Sequence, residues 1–409
     1  MPRAPVVVLV AGVPLLACAD PSSTLLGRFD PSAGDEPLRA AAVPLGSPLP
    51  GLSSRERARF ERGLAVFTRD FEPSSGLGPL FNAEGCGECH EDPTVGGVGD
   101  EVEVHAAWVR PDGACDLLAA EGGMVIQQHA TPELTAAMAA LGVPDYLAES
   151  TPEDGTLARR STPPVFGLGL LDAVPEATIR ALADPNDANR DGISGRPNYT
   201  ADGRIGRFGR KATEPTLREF NADAALNEMG ITNRLFPVES SIGGYPIPEG
   251  VDLVPVEPEL SARDFDDLDA FLRYLAPPPP LKLTRAATDG ERLFSAIGCA
   301  ACHVPSLRTG PSAVRALSNR VVSAFTDLLL HDMGPGLADI CVRQASPTEF
   351  RTEPLMGLRF RSVFLHDGRA ATVEAAILAH GGEATRARDR FAALAAAPKA
   401  ALLAYLKSL

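Results

Sequence analysis

Apolar residues fall at helical spacing in four stretches of the chain, and the stretches come in two pairs. SSRERARFERGLAVFTRDF, Ser53 to Phe71, predicts one helix, and TDGERLFSAIG, Thr288 to Gly298, predicts another of the same kind. DFDDLDAFLRYLAPPPP, Asp264 to Pro280, predicts an amphipathic helix ended by a run of prolines, and PKAALLAYLKSL closes the chain with its counterpart. Two further echoes lie between these landmarks. RRSTPPVFGLGLLD (Arg159 to Asp172) is answered by FRTEPLMGLRF (Phe350 to Phe360), and GRFGRKATEPTLREF (Gly206 to Phe220) by FLHDGRAATVEAAI (Phe364 to Ile377). The repeated order predicts an internal duplication, with a first unit at 51–280 and a second at 281–409. The first unit is larger, and its surplus reads as loop and insertion.

Unbroken apolar character appears only at the start. MPRAPVVVLVAGVPLLACADPSS holds one Arg, an apolar run from Val6 to Leu16, and Ala17 directly before Cys18. The run is shorter than the roughly 20 residues that a spanning helix needs, so 1–17 reads as an export signal. Leu15-Leu16-Ala17-Cys18 resembles a bacterial lipobox, which would acylate Cys18 and tether the mature lipoprotein on the periplasmic side of the membrane through a flexible 18–50 segment. An ordinary cleavable signal with an incidental cysteine is the other reading.

Composition adjusts this picture in two ways. Gly at 38 and Pro at 37 of 409 residues predict short helices joined by long ordered loops, with little continuous sheet. A formal charge of −15 excludes nucleic acid and anionic membrane surfaces as partners, because both demand a basic face. Membrane contact is then left to the lipid anchor, and a basic protein partner stays open.

The chemistry sits in a motif that occurs twice, once in each unit: Cys86-Gly-Glu-Cys89-His90 and Cys299-Ala-Ala-Cys302-His303. A lone CxxC is a redox dithiol or half a zinc site. The histidine that follows directly changes the reading: two thiols add across the haem vinyl groups, and the next imidazole is carried under the iron. Covalent haem c at two sites, with His90 and His303 as proximal ligands, makes the fold class mainly α, two tandem cytochrome c-like haem domains with long loops. Of seven cysteines, Cys115 and Cys341 remain; in an exported chain they pair as a disulfide or stand as two separate thiols.

Taken together, GLGPLFNAEGCGECH, TPPVFGLGLLDAVPEATI, DANRDGISGRPN, MGITN, TDLLLHDMGPGLAD and FLHDGRAATVEAAILAHGGEA, which run from Gly76 to Glu383, resemble the dihaem cytochrome c peroxidase and MauG superfamily. Within it the pattern resembles the di-haem oxidoreductases also described as thiol oxidoreductases. The resemblance implies that His380, fourteen residues after His366, is the distal ligand of the second haem, giving a bis-His, low-potential centre; a plain helix cap before Gly381-Gly382 is the alternative. His366 then reads as a residue that supports a haem propionate or the backbone. Gly96-Gly97 match a family pair past the proximal histidine. His105 lies near the family's displaceable distal histidine of the first haem, or is an exposed loop histidine.

Glu228, before Met229, lies about two residues short of the family position for the carboxylate that moves protons in peroxide cleavage; a solvated helix Glu is the bland reading. Relatives place a Trp between the haems where this chain has Arg210, so Phe208 or the sole Trp, Trp108, would have to carry hopping, or Arg210 pairs with haem propionates instead. Asp187, Asn189 and Asp191 have calcium-loop alternation but lack the twelfth-position Glu, so calcium and an Asx-rich turn both fit. His331 reads as a hydrogen-bonding neighbour of the second haem, and His129 has no counterpart. The resemblance implies a peroxide-reactive first haem, electron transfer through the second, and a small cytochrome c, a copper protein or a protein substrate as donor. The alternatives are MauG-like side-chain oxidation and a non-catalytic electron carrier.

Overall fold

Ser53 starts the first helix by a reciprocal cap: its hydroxyl accepts the Glu56 amide at 3.3 Å, and Glu56 Oε2 accepts the Ser53 amide at 2.7 Å. From there a computed structural model describes residues 43–409, apart from 153–154 and 255–256. The expected signal and Cys18 lie outside the described residues. The helices are α1 (Ser54–Phe67), α2 (Cys86–Cys89), α3 (Pro132–Ala140), α4 (Leu168–Asp172), α5 (Glu176–Leu182), α6 (Leu217–Met229), α7 (Ala262–Tyr274), α8 (Arg285–Ala296), α9 (Val373–Ala379), α10 (Thr385–Ala392) and α11 (Ala396–Leu406).

The echoes in sequence become equivalent packings. α1 crosses α7, and α8 crosses α11, each at a glycine. A Cβ on Gly63 would lie 1.8 Å from the Asp267 carbonyl oxygen, and one on Gly290 would lie 2.1 Å from that of Ala401. Only glycine lets these backbones approach so closely. One turn beyond each glycine an aromatic ring meets a ring on the partner helix, Phe67 with Phe271 at 4.9 Å and Phe294 with Tyr405 at 5.7 Å.

A second equivalence precedes α6 and α9. Phe208 bridges to Glu214 and Phe364 to Ala370, each across a tight turn. The turns take left-handed backbone at matching places, Gly209 and Ala212 in one, Leu365 and Gly368 in the other. Eight residues after each phenylalanine a threonine caps the helix: Thr216 accepts from the Glu219 amide and Thr372 from that of Ala375.

The fold is mixed, with 33% helix and 13% strand, and not mainly α. The departure comes from the surplus of the first half. Strand β2 (Val102–Val109) pairs along its length with β6 (Thr156–Ser161), from Val102↔Ser161 to Ala107↔Thr156, and on its other edge with β3 (Cys115–Asp116) and β4 (Val125–Ile126). The remaining strands are short pairs: β1 (Leu80–Phe81) with β5 (His129–Ala130), β7 (Leu307–Arg308) with β8 (Val321–Val322), and β9 (Leu330–Asp332) with β10 (Glu349–Arg351). Val102, Val104 and Ala106 alternate with Glu103 and His105, a period-two signal that helix-spaced reading passes over.

The largest apolar cluster gathers Phe67, Phe271, Leu170 and Ile205 from the first half, and also Leu317, Leu328 and Met356 from the second. A smaller one, with Phe294, Phe325, Phe391 and Tyr405, belongs to the second half alone. Cys115 in β3 and Cys341 are joined as a disulfide that ties the sheet to the second half, packed beside Ala158, Ile340 and Val342.

Candidate functional site

Each pentad faces a cavity. The first, of about 190 Å³, is lined by His90, Glu103, His105 and three residues of one face of α6, Phe220, Ala224 and Glu228. The second, of about 380 Å³, takes Cys299, Cys302, His303, His331, His366 and His380.

The imidazoles are presented alike. His303 Nδ1 donates to the Phe325 carbonyl at 3.0 Å, and His380 Nδ1 to that of Ala376 at 2.7 Å. His90 Nδ1 donates to the Gly97 carbonyl at 3.2 Å. A carbonyl only accepts, so each Nδ1 carries the proton, and a neutral ring then offers its lone pair at Nε2. Burial favours the neutral rings: it lowers the pKa of His90 and His380, and with the neighbouring His380 it lowers that of His303 to about 4. The Gly96-Gly97 pair serves the His90 bond. Gly96 has φ of +90°, and a Cβ on Gly97 would lie 2.0 Å from the Asp92 carbonyl oxygen.

His380 ends α9, so the bond that caps the Ala376 carbonyl also turns the ring toward the cavity that His303 lines. The four pentad cysteines are unpaired. Burial pushes the Cys86 thiol up to about 12 and that of Cys299 to about 11. A reactive dithiol or a zinc site needs the opposite shift, toward thiolate.

On the far part of the first cavity, Asn82 Nδ2 donates to Glu228 Oε2 at 2.8 Å. Burial, then the charge of Glu103, raises the Glu228 pKa well above the ordinary carboxylate range. Glu103 and His105 project from the same face of β2 and meet at 2.9 Å. Burial acts to raise the Glu103 pKa, but the His105 bond and nearby charge hold it lowered. Asp223, also on α6 and also lining this cavity, is raised to about 7 by burial and then by Glu214.

In the second cavity His331 is clamped between carboxylates, Nε2 to Asp327 and Nδ1 to Glu383, both at 2.8 Å. Burial opposes its charge, yet these partners and Cys302 raise its pKa to about 12, which makes it an imidazolium strut. His366 stacks on Phe350 at 4.3 Å and faces Asp339 at 3.6 Å. Arg210 lines both cavities, and so do Arg351, Glu353 and Arg361.

Other candidates stand elsewhere. His129 is exposed on β5 beside Phe81, and Trp108 is exposed on β2; neither lines either of these two cavities, whereas Phe208 lines the first. Asp187, Asn189 and Asp191 accept amide hydrogens of their own loop, from Gly192, Asp191 and Ile193, as in an Asx turn. That loop is tied to the second cavity, Ser194 Oγ donating to Glu383 at 2.6 Å.

Reading the sequence missed Glu103, Asp223, Asn82, Glu353, Arg351 and Arg361. Glu103 was findable, two residues before His105 in an alternating strand. The rest meet only through folding.

The model of one protein family, described as "Di-haem oxidoreductase, putative peroxidase", matches residues 145–409. The chain belongs to the di-haem oxidoreductase family. The match spans the α6 and α9 repeats and the second pentad, and it makes the protein an oxidoreductase that uses haem cofactors. No curated protein matches this di-haem oxidoreductase by sequence. Among solved structures it is similar to the hydrazine synthase of Kuenenia stuttgartiensis, at 13% identity over 98% of this chain and 100% of that one, with a TM-score of 0.40. It is also similar to the diheme peroxidase BthA of Burkholderia thailandensis, at 17% identity over 86% of each chain, with a TM-score of 0.39. A MauG-like protein associated with microbial copper homeostasis shares 17% identity over 58% of this chain and 90% of that one, with a TM-score of 0.29. These likenesses are too distant to carry an argument about mechanism.

Proposed function

We propose that this di-haem oxidoreductase is an exported, lipid-anchored enzyme that reduces hydrogen peroxide at its first pentad site and moves electrons through its second. One observation carries the reading. With the capping threonines Thr216 and Thr372 superposed in register, His380 corresponds to Ala224 and Glu228 corresponds to Ala384, and all four line their respective cavities. The second site has an imidazole where the first has a methyl group, and the first has a carboxyl group where the second has a methyl group. One copy of the repeat is fitted to close a coordination position, the other to leave it open beside an acid.

The tandem haem halves at 51–280 and 281–409 are part of this reading. Haem, joined through Cys86 and Cys89 and through Cys299 and Cys302, supplies a redox-active iron at each site. Two electrons and two protons convert hydrogen peroxide to two waters; the electrons come from a small cytochrome c, a copper protein or an oxidisable protein side chain. Glu228 carries a proton from one peroxide oxygen to the other, for which its raised pKa suits it. Asn82 fixes the carboxyl group, and the Glu103–His105 pair lines the same pocket. The Cys115–Cys341 disulfide agrees with an oxidising compartment, and acylation of Cys18 would be read by mass spectrometry of the mature chain.

Low-temperature EPR with optical spectra, before and after one equivalent of hydrogen peroxide, tests the reading. The ferric protein should show a high-spin signal that peroxide removes and a low-spin signal that it leaves. Ala224→His should turn the first signal low-spin and abolish the response. Two low-spin signals indifferent to peroxide, before and after one-electron reduction, would instead mark an electron-transfer protein.

A further inference from the structure

The partition between the two cavities is built from charge. Arg210, Arg351, Glu353 and Arg361 line both. Glu353 binds all three guanidinium groups, Arg210 at 3.1 Å, Arg351 at 3.0 Å and Arg361 at 2.5 Å. Burial acts to raise its pKa, and the three cations hold it far below the ordinary range. Three positive groups against one negative leave two positive charges without a partner among them.

Neighbouring carboxylates offset only part of this: Asp327 and Glu383 share the one imidazolium of His331, and Glu103, bonded to His105, lies close enough to Arg210 for the two charges to interact. On the first-cavity side the imbalance grows, since Arg160 and Lys211 share the single carboxylate of Asp339. The arginine side chains are only 12%, 10% and 8% exposed for Arg210, Arg351 and Arg361. Their remaining bonds go to main-chain oxygens: Arg210 to Ser161 at 2.8 Å, and Arg351 to Gly209 at 2.9 Å. Arg361 Nε is buried and has no hydrogen-bond partner among the described residues.

A buried cation left uncompensated costs several kcal/mol, and a buried guanidinium N–H left unbonded adds to that. The excess of guanidinium over carboxylate in the cluster, with the unbonded Arg361 Nε, fits the partition to receive anions. Guanidinium forks are matched in geometry and charge to carboxylates.

We propose that this wall is a shared carboxylate-binding partition, on which carboxylate groups of the haems in both cavities are seated at once, so that the charge state of one site is felt at the other. The proposal rests on haem occupying both cavities. Arg361 Nε takes a carboxylate oxygen, and Glu353 holds the three forks apart and in register. A single substitution in the wall therefore acts on both centres, which a residue serving one haem would not do.

Spectroelectrochemical titration of the loaded protein decides it, with two haems per chain first verified by pyridine haemochrome. Arg361→Gln removes a positive charge and should move both midpoint potentials down, since the ferric form is then opposed less. Glu353→Gln should move both up. Arg361→Lys, which keeps the charge and loses the fork, should stay nearer the parent than Arg361→Gln does. Movement of one couple alone, or of neither, overturns the shared partition. Potentials of the parent protein that shift with added acetate assign the anion to solvent and overturn the haem assignment. Should Arg361→Gln not load, Glu353→Gln is judged by the same criterion, while absence of haem from the parent protein would sink the proposed function instead.

Discussion

Asn82 Nδ2 holds Glu228 Oε2 at 2.8 Å, and that bond separates an acid placed over a cavity from a glutamate waving in solvent. Glu228→Gln keeps the shape and the amide contact but cannot release a proton. The peroxide reaction should slow by roughly 10²- to 10⁴-fold, the usual worth of a positioned acid–base group, with unchanged haem content and spectra in stopped-flow measurement. Asp223 gives a second test. Its folded pKa of about 7 lies above the roughly 3.9 of an unfolded Asp, so between these values the unfolded chain has lost a proton that the folded chain keeps. Stability from this group is present below about pH 4 and is lost as pH rises toward 7, at up to about 1.4 kcal/mol per pH unit. Asp223→Asn should flatten that slope in thermal melts from pH 4 to 7. His90 and His303 could be proposed as ligands at this scale, because CxxCH is a local motif. The tautomers could not, since Gly97, Phe325 and Ala376 offer their carbonyls only once the backbone has turned.

The helices α1, α7, α8 and α11 were visible in the hydrophobic pattern as two echoing pairs, α1 with α8 and α7 with α11; that α1 packs on α7 and α8 on α11, each at a glycine crossing, came from the structure. A methyl group at Gly63 or Gly290 must push apart two backbones now in contact. Gly63→Ala and Gly290→Ala should each cost about 1–3 kcal/mol, read as a lower midpoint in chemical denaturation. Overpacking of α8 on α11 should in addition disturb the second site first, because the smaller core of Phe294, Phe325 and Tyr405 lies there. The sheet around β2 was not read from the sequence. Its six register pairs with β6 join residues some fifty positions apart, and a strand's partner is a tertiary fact even where the alternation of the strand is plain.

At the scale of the molecule, the Cys115–Cys341 disulfide closes a loop of 226 residues between the sheet and the second half. Replacing both cysteines by serine should cost about 2–4 kcal/mol in denaturant unfolding, through a less restricted unfolded chain. The reducing agent should have the same effect on the parent protein and none on the variant. The two pentads and the proposed tandem organisation and second-site histidine were argued from the order of residues alone, because duplication copies local spacing and a haem-attachment motif needs neighbours in the chain. The difference between the two sites was half legible: His380 could be counted out from His366, whereas Ala224 meant nothing until α6 and α9 were set in one register. What only the tertiary structure decided is what stands between the sites. Arg210, Arg351, Glu353 and Arg361 come from distant positions and carry no motif, and charge becomes a wall only when folding removes the water that would have screened it.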